Sequence, residues 1–258
     1  MTIQRKAPVN TRVTARLAIA VAVLIVPSLA VSGRTAESPA VRVEAPAPAP
    51  AASAVVRHAD AGSAFDAATW DAVALGAVDR DVFSLALQAA AAAVERGDAT
   101  NPGTLTVIDF SRPSTARRMW VYDLRARALL FEEFVAHGRG SGANFATEFS
   151  NVPESNRSSL GLYRTGEAYI GQHGYSLRLD GLERGINNRA RDRAIVVHGA
   201  DYVNAATARA QGRLGRSLGC PAVRPEISRP LIEAVKDGGL LFAYYPDQSW
   251  LNGSTYLN

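Results

Sequence analysis

Apolar positions fall into three rhythms along this 258-residue chain. Residues 17–31, LAIAVAVLIVPSLAV, form an almost unbroken apolar run. Between Phe65 and Arg96 the chain is rich in Ala and Leu; Val82, Leu85, Ala86 and Ala89 recur at the spacing of one helical face, and Gly97 offers a stop. This predicts a helical cap over 63–98. After the Asn101-Pro102-Gly103 turn the runs become short, β-branched and aromatic, separated by turn residues. They predict strands at 104–110, 117–124, 128–138, 159–166, 168–179, 193–199 and 240–246, with helices near 203–210 and 226–237. The expected fold class is mainly β (α+β), with an N-terminal helical region and a principal domain over 99–258.

The first apolar run changes meaning once its flanks are read. Residues 1–16 carry Arg5, Lys6, Arg12 and Arg16 with no acid, and small residues (Ser28, Ala30) end the run. A basic head, a short apolar stretch and a small-residue exit describe a secretory signal peptide over 1–30; fifteen residues fall short of the roughly 20 that span a bilayer. An uncleaved anchor is the alternative. Residues 31–62 follow as an Ala/Pro-rich spacer, whose composition builds no core and favours an extended chain. The expectation is therefore an exported, periplasmic protein with no membrane contact beyond the signal peptide or anchor.

Charge follows from the same cut. The chain is +4 at pH 7 with 28 basic residues; loss of the four in the signal leaves 24 against 24 acidic, so net charge makes no case for nucleic-acid binding.

One cysteine is present, Cys220, in RSLGCPAVRP. It has no intrachain disulfide partner. It reads either as a small buried apolar residue or as a nucleophile needing a base. A single thiol kept in an oxidising compartment favours use. Among the four histidines, His58 lies in the spacer, while His137, His173 and His198 each end or interrupt a strand and precede a glycine. His198 ends the most apolar strand. A glycine behind it frees a carbonyl, that of Gly199, to accept from the ring and fix its tautomer. In SLGC the backbone amides of Leu218, Gly219 and Cys220 are candidates to face an oxyanion. A neighbouring histidine is expected to lower the thiol's pKa by ion pairing. The four histidines and one cysteine show no metal-ligand spacing, so neither metal nor organic cofactor is expected.

VVHGADYV followed by RSLGCPAV resembles the murein L,D-transpeptidase catalytic domain family, the YkuD-like fold. The family pattern is His-Gly or His-Ser, 14–17 residues, then Ser/Thr-His-Gly-Cys. Here 18 residues separate His198 from Ser217, Leu218 replaces the second histidine, and no arginine stands two places after the cysteine. Those departures match a subgroup with Ser-x-Gly-Cys-Pro-Ala, which this chain also resembles across residues 145–187, FATEFSNVPE through LERGIN. The resemblance implies a β-sandwich or barrel-like catalytic domain. It implies that Cys220 attacks a peptidoglycan tetrapeptide stem, that His198 serves as base and then acid, that Gly199 orients the ring, and that Gly219 and Cys220 hold the oxyanion. Release of D-alanine and a thioester acyl-enzyme then lead to a 3–3 cross-link. Tyr169, His173, Ser217 and Arg224 are candidates for substrate binding. Ser141, Asn144, Ser150 and Asn151 read either as glycopeptide contacts or as turn formers.

Three rivals remain. One is hydrolysis of the same intermediate, an L,D-carboxypeptidase. Another is a non-catalytic peptidoglycan-binding module. The third, a papain-like peptidase, is disfavoured because no histidine follows the cysteine.

Overall fold

The computed structural model describes residues 64–70 and 75–258; the expected signal peptide, the spacer and His58 lie outside the described residues. Helix α1 (Arg80–Glu95) opens where Asp79 Oδ1 accepts from the amides of Asp81 and Val82 at 2.8 and 3.2 Å, a cap worth about 1 kcal/mol. It closes at Gly97, whose φ of 76° is the left-handed turn that favours glycine. Its buried face carries Val82, Ala86, Ala89, Ala90 and Ala93, small residues that let it lie close on the sheet. Phe83 meets Trp70 and Tyr122 edge-to-face at 5.1 and 4.8 Å. The Tyr122 hydroxyl donates to the Leu75 carbonyl at 2.8 Å, which ties the segment before the helix to the sheet.

Eight strands form one sheet among the described residues: β1 (Thr104–Asp109), β2 (Met119–Asp123), β3 (Ala128–Glu133), β4 (Gly161–Gly171), β5 (Gly174–Gly181), β6 (Val196–Gly199), β7 (Ala222–Val223) and β8 (Leu240–Tyr244). Their order is β3-β2-β1-β8-β4-β5-β6-β7. Every residue of β1 is buried, as expected of a central strand paired in parallel with β8 and covered by α1. Helices α2 (Ala205–Gln211), α3 (Pro225–Val235) and α4 (Gln248–Gly253) complete the chain; α3 packs on β6. The domain is mainly β, as its alternating runs predict.

The hairpin differs from the sequence expectation. Gly166 and Glu167 do not end a strand but sit in a bulge, where the pairing shifts between Thr165 and Ala168. The turn comes instead at Gln172 and His173, flanked by Gly171 and by Gly174 at φ 73°. Two short elements, β7 and α4, were not expected.

The sheet's two edges meet. Past β3, Ala136 bridges Ala222 of β7, its amide donating to the Ala222 carbonyl at 2.8 Å, and Gly138 bridges Ser217. The Arg224 fork grips the carboxylate of buried Glu133 at 2.6 and 2.9 Å across the same seam. The result is a nearly closed barrel rather than two stacked sheets. Closure removes exposed strand edges and brings the 216–220 turn against the loop after β3.

Candidate active site

Tyr169, Ser176, His198 and Ala222 are register partners across β4, β5, β6 and β7. Directly opposed residues share a face, and the row sets His198 opposite Ala222, two residues after Cys220 in the turn that leads into β7. The His198 Nδ1 lies 2.9 Å from the Gly199 carbonyl. A carbonyl only accepts, so Nδ1 holds the hydrogen and Nε2 keeps its lone pair. Gly199 is required here by close approach: a Cβ would meet Ser228 Oγ at 2.8 Å and Pro225 Cα at 3.2 Å. His173, at the hairpin turn, stacks on His198 with ring centroids 4.4 Å apart. Burial first, and then the charge of His173, push His198 below the ordinary histidine range, against the pull of the Gly199 bond. His198 is therefore neutral at pH 7. It opens into a cavity of about 450 Å³ lined also by His173, Tyr175, Asp201, Tyr202 and Ser228.

The turn at 216–220 is tied from within and without. Ser217 Oγ donates to the Cys220 carbonyl at 2.6 Å and accepts from the Gly219 amide at 3.1 Å. Ser158 Oγ donates to the Gly219 carbonyl at 3.0 Å, and the Ser217 amide donates to the His137 carbonyl at 3.0 Å. Leu218, in the position of the family's second histidine, points out and is 62% exposed. The turn therefore holds without a side chain there. Cys220 itself is buried, and its thiol donates to the Ala194 carbonyl at 3.7 Å.

This corrects two expectations. Burial pushes the Cys220 thiol above its ordinary range, outweighing the Val196 amide, Arg193 and its own amide, which pull it down. Among the causes that set the thiol's level there is no histidine, so the expected lowering by an ion pair is replaced by a rise from burial. The Gly219 amide, expected at an oxyanion, is already taken by Ser217.

The remaining candidates separate cleanly. Arg224 is engaged with Glu133 at the barrel seam, and Ser217 with its own turn. Tyr169 lies under the Arg178 guanidinium at 4.2 Å. His137 is fully buried and accepts at Nδ1 from Arg118 Nη2 at 2.7 Å; burial and Arg118 lower it to about 4, so it braces the turn as a neutral ring. In the polar loop, Ser141 Oγ accepts from the Ser158 amide at 2.9 Å, Asn144 Oδ1 from Ser114 Oγ at 2.9 Å, and Ser150 Oγ from the Val152 amide at 3.0 Å; Asn151 Nδ2 donates to Asn188 at 2.9 Å. Only the Ser150 bond is a local turn; Ser141, Asn144 and Asn151 tie the loop to other segments. Sequence reading missed Ser158, Arg193 and Ala194, because nothing local separates them from other polar coil. Among the described residues no group of three or more metal-binding side chains converges, and no helix is long and apolar enough to cross a membrane.

Comparison with known proteins bears on this geometry. Among solved structures the chain is similar to an L,D-transpeptidase from Mycobacterium smegmatis (13% identity, 55% of this chain and 59% of that chain covered, TM-score 0.35). It is also similar to L,D-transpeptidase 1 of Mycobacterium tuberculosis (13%, 55% and 61%, 0.31) and to an L,D-transpeptidase from Stackebrandtia nassauensis (14%, 64% and 68%, 0.35). The chain thus spans about three-fifths of the length of the two mycobacterial proteins. No curated protein matches it. A family model described as the L,D-transpeptidase catalytic domain matches residues 75–244, which include the row, the turn and the barrel seam. With that match over well more than half its length, the chain belongs to the L,D-transpeptidase catalytic domain family.

Proposed function

We propose that the protein is an exported cysteine L,D-transpeptidase acting on peptidoglycan stem peptides. The observation that carries this reading is the Nδ1 contact of His198 with the Gly199 carbonyl. It leaves Nε2 unprotonated on a ring that lines the cavity, paired to the strand that the turn of the chain's single cysteine leads into. Cys220 Sγ attacks the carbonyl at the L-centre of the diaminopimelate residue in a tetrapeptide stem, and its proton passes to His198 Nε2. The Leu218 and Cys220 amides are the remaining candidate donors for the oxyanion. The bond to D-alanine breaks, and His198 returns the proton to the departing amine. An amine from a second stem then attacks the thioester carbonyl and gives its proton to His198. The C–S bond breaks, the thiol regains a proton, and a 3–3 cross-link remains. No step requires a metal. Ser-x-Gly-Cys-Pro-Ala is, on this reading, a working variant of the family turn, supported by Leu218 lying outside the turn's own hydrogen bonds.

Intact-protein mass spectrometry with a disaccharide tetrapeptide as sole substrate tests the reading. One adduct is expected on Cys220, lighter than the substrate by the lost D-alanine, followed by dimers joined through two diaminopimelate residues. Tripeptide alone would make the enzyme an L,D-carboxypeptidase. An adduct that persists in Cys220→Ala would take the nucleophile away from Cys220, and none with any stem would leave only a binding module. The same reading puts the domain outside the cytoplasmic membrane, with the mature terminus near Val31; an intact Met1 in soluble cytoplasm would contradict it.

A further inference from the structure

The segment leading into β6 touches the nucleophile turn at three points. The Ala194 carbonyl takes the Cys220 thiol at 3.7 Å. A Cβ placed on Gly219 would lie 2.8 Å from Ile195 Cδ1 and 3.4 Å from Arg193 Nη2. Ala194 holds φ at 52°, a left-handed conformation that costs a non-glycine residue about 1 kcal/mol and must be imposed by its surroundings.

Arg193 is the anchor of that segment. Its Nη1 donates to the Ser150 carbonyl and Ser159 Oγ, both at 2.7 Å. Its Nη2 donates to the Arg157 carbonyl at 2.6 Å and to Ser155 Oγ at 3.4 Å. All four acceptors are neutral, so a half-buried cation sits here with no carboxylate in its fork. Two groups able to become anions feel its charge, Tyr163 and Cys220. Tyr163 is buried, its hydroxyl donates to the Ser159 carbonyl at 3.0 Å, and burial keeps it protonated. Cys220 is left as the group whose anion Arg193 can meet. Arg189 is the other charge that Arg193 meets, and it is of like sign, so it does not neutralise the fork. Tyr202, from the loop after β6, is pushed up to about 12, chiefly by burial, and His198 is lowered.

We infer that Arg193 is a positioning residue for the nucleophile: its unneutralised charge favours the Cys220 thiolate, and its fork fixes the 150–159 loop that Ser158 couples to the Gly219 carbonyl. The inference rests on the reading of Cys220 as nucleophile. It gives the chain, from the loop before β6, an arginine at the thiol that the stretch after the cysteine does not supply.

Alkylation of Cys220 by iodoacetamide as a function of pH, followed by mass on the full chain, reads the thiolate without any substrate. In Arg193→Gln the midpoint should rise by about one pH unit. In Arg193→Lys the midpoint should stay at the wild-type value, while turnover of stem peptide falls about tenfold, since an ammonium keeps the charge but cannot form the fork. Arg193→Gln alkylating with the wild-type midpoint, or Arg193→Lys shifting as far as Arg193→Gln, overturns the inference. Should Arg193→Gln not fold, Arg193→Lys decides alone: a midpoint that moves, or turnover that does not fall, refutes it. A wild-type chain that forms no acyl adduct would fail the transpeptidase reading separately, because the alkylation curve is measured regardless.

Discussion

His173 lies nearly flat against His198, with ring planes 21° apart and centroids separated by 4.4 Å. Two stacked imidazoles resist carrying two protons. The charge of His173 therefore adds to burial in holding His198 below its ordinary value. In the proposed mechanism His198 takes a proton from Cys220 and so works only when unprotonated; activity should fall as pH drops through that lowered value.

Replacing His173 with Phe keeps a ring on the stack but removes the charge. The acid limb of kcat/KM should move to higher pH, toward the ordinary histidine value, with kcat above neutrality changed by less than about twofold. Burial and the Gly199 bond remain, so the move is partial. An acid limb that stays in place in His173→Phe would show that the stack does not tune the base.

Arg224 offers a different kind of test, because sequence position alone made it a candidate substrate contact. Its fork instead closes the barrel seam on Glu133, whose side chain is 9% exposed against 30% for Arg224. Arg224→Ala should cost about 2 kcal/mol, less than the full loss for a completely buried pair, since Arg224 remains partly solvated. KM per folded molecule should hold. Urea unfolding alongside steady-state kinetics separates the outcomes: unchanged stability with a raised KM would return Arg224 to the substrate.

What could be read in advance, and what could not, divides on how local the cause is. The pairing of His198 with the Gly199 carbonyl was legible because a strand end, a histidine and a glycine are contiguous. The strands from Thr104 onward, β7 apart, were legible because each carries its own alternation or apolar run. The bulge at Gly166–Glu167 was misread as a break, since glycine marks both and only the partner strand distinguishes them. Arg193 was invisible in ERGINNRARDRA. Arg191, two residues earlier, faces outward to Asp180 and Glu167, while Arg193 turns in on the 150–159 loop. Only the fold makes that choice. The thiol's pKa direction was missed for the same reason: a motif announces a neighbour's charge, but burial belongs to the whole domain.

His137 makes stability itself pH-dependent. It is buried and lowered to about 4 from 6.5. The unfolded chain takes up this proton near pH 6.5, and the folded chain resists until near 4, so stability present above the first value is lost as pH falls toward the second. The loss is about 3 kcal/mol. His198, also lowered, adds in the same direction. His137→Gln keeps an acceptor for Arg118 without the titration and should flatten most of the slope. Denaturant titrations on both sides of that window check it, and an equal slope in His137→Gln would assign the effect elsewhere.

Gly219 sets the last expectation, because two independent penalties fall on one added methyl group. Its φ of 129° lies where L side chains are strained, and a Cβ there would sit 2.8 Å from Ile195 Cδ1 and 2.9 Å from the Arg157 carbonyl. The first contact is the end of a side chain and can be trimmed, whereas the second is backbone held by Arg193 and cannot. Gly97, at φ 76° with nothing within 4 Å of a Cβ, isolates the strain alone. Gly97→Ala should cost about 1 kcal/mol, and Gly219→Ala about 2–4 kcal/mol together with the acyl adduct. Adding Ile195→Ala to Gly219→Ala should recover less than half of the clash, since Arg157 still stands in the way. Chemical denaturation and adduct mass on the three variants measure this. Gly219→Ala with the stability of Gly97→Ala and a full adduct would show that the turn has room, and that the tight fit of Ile195 and Arg157 does not hold Cys220 in place.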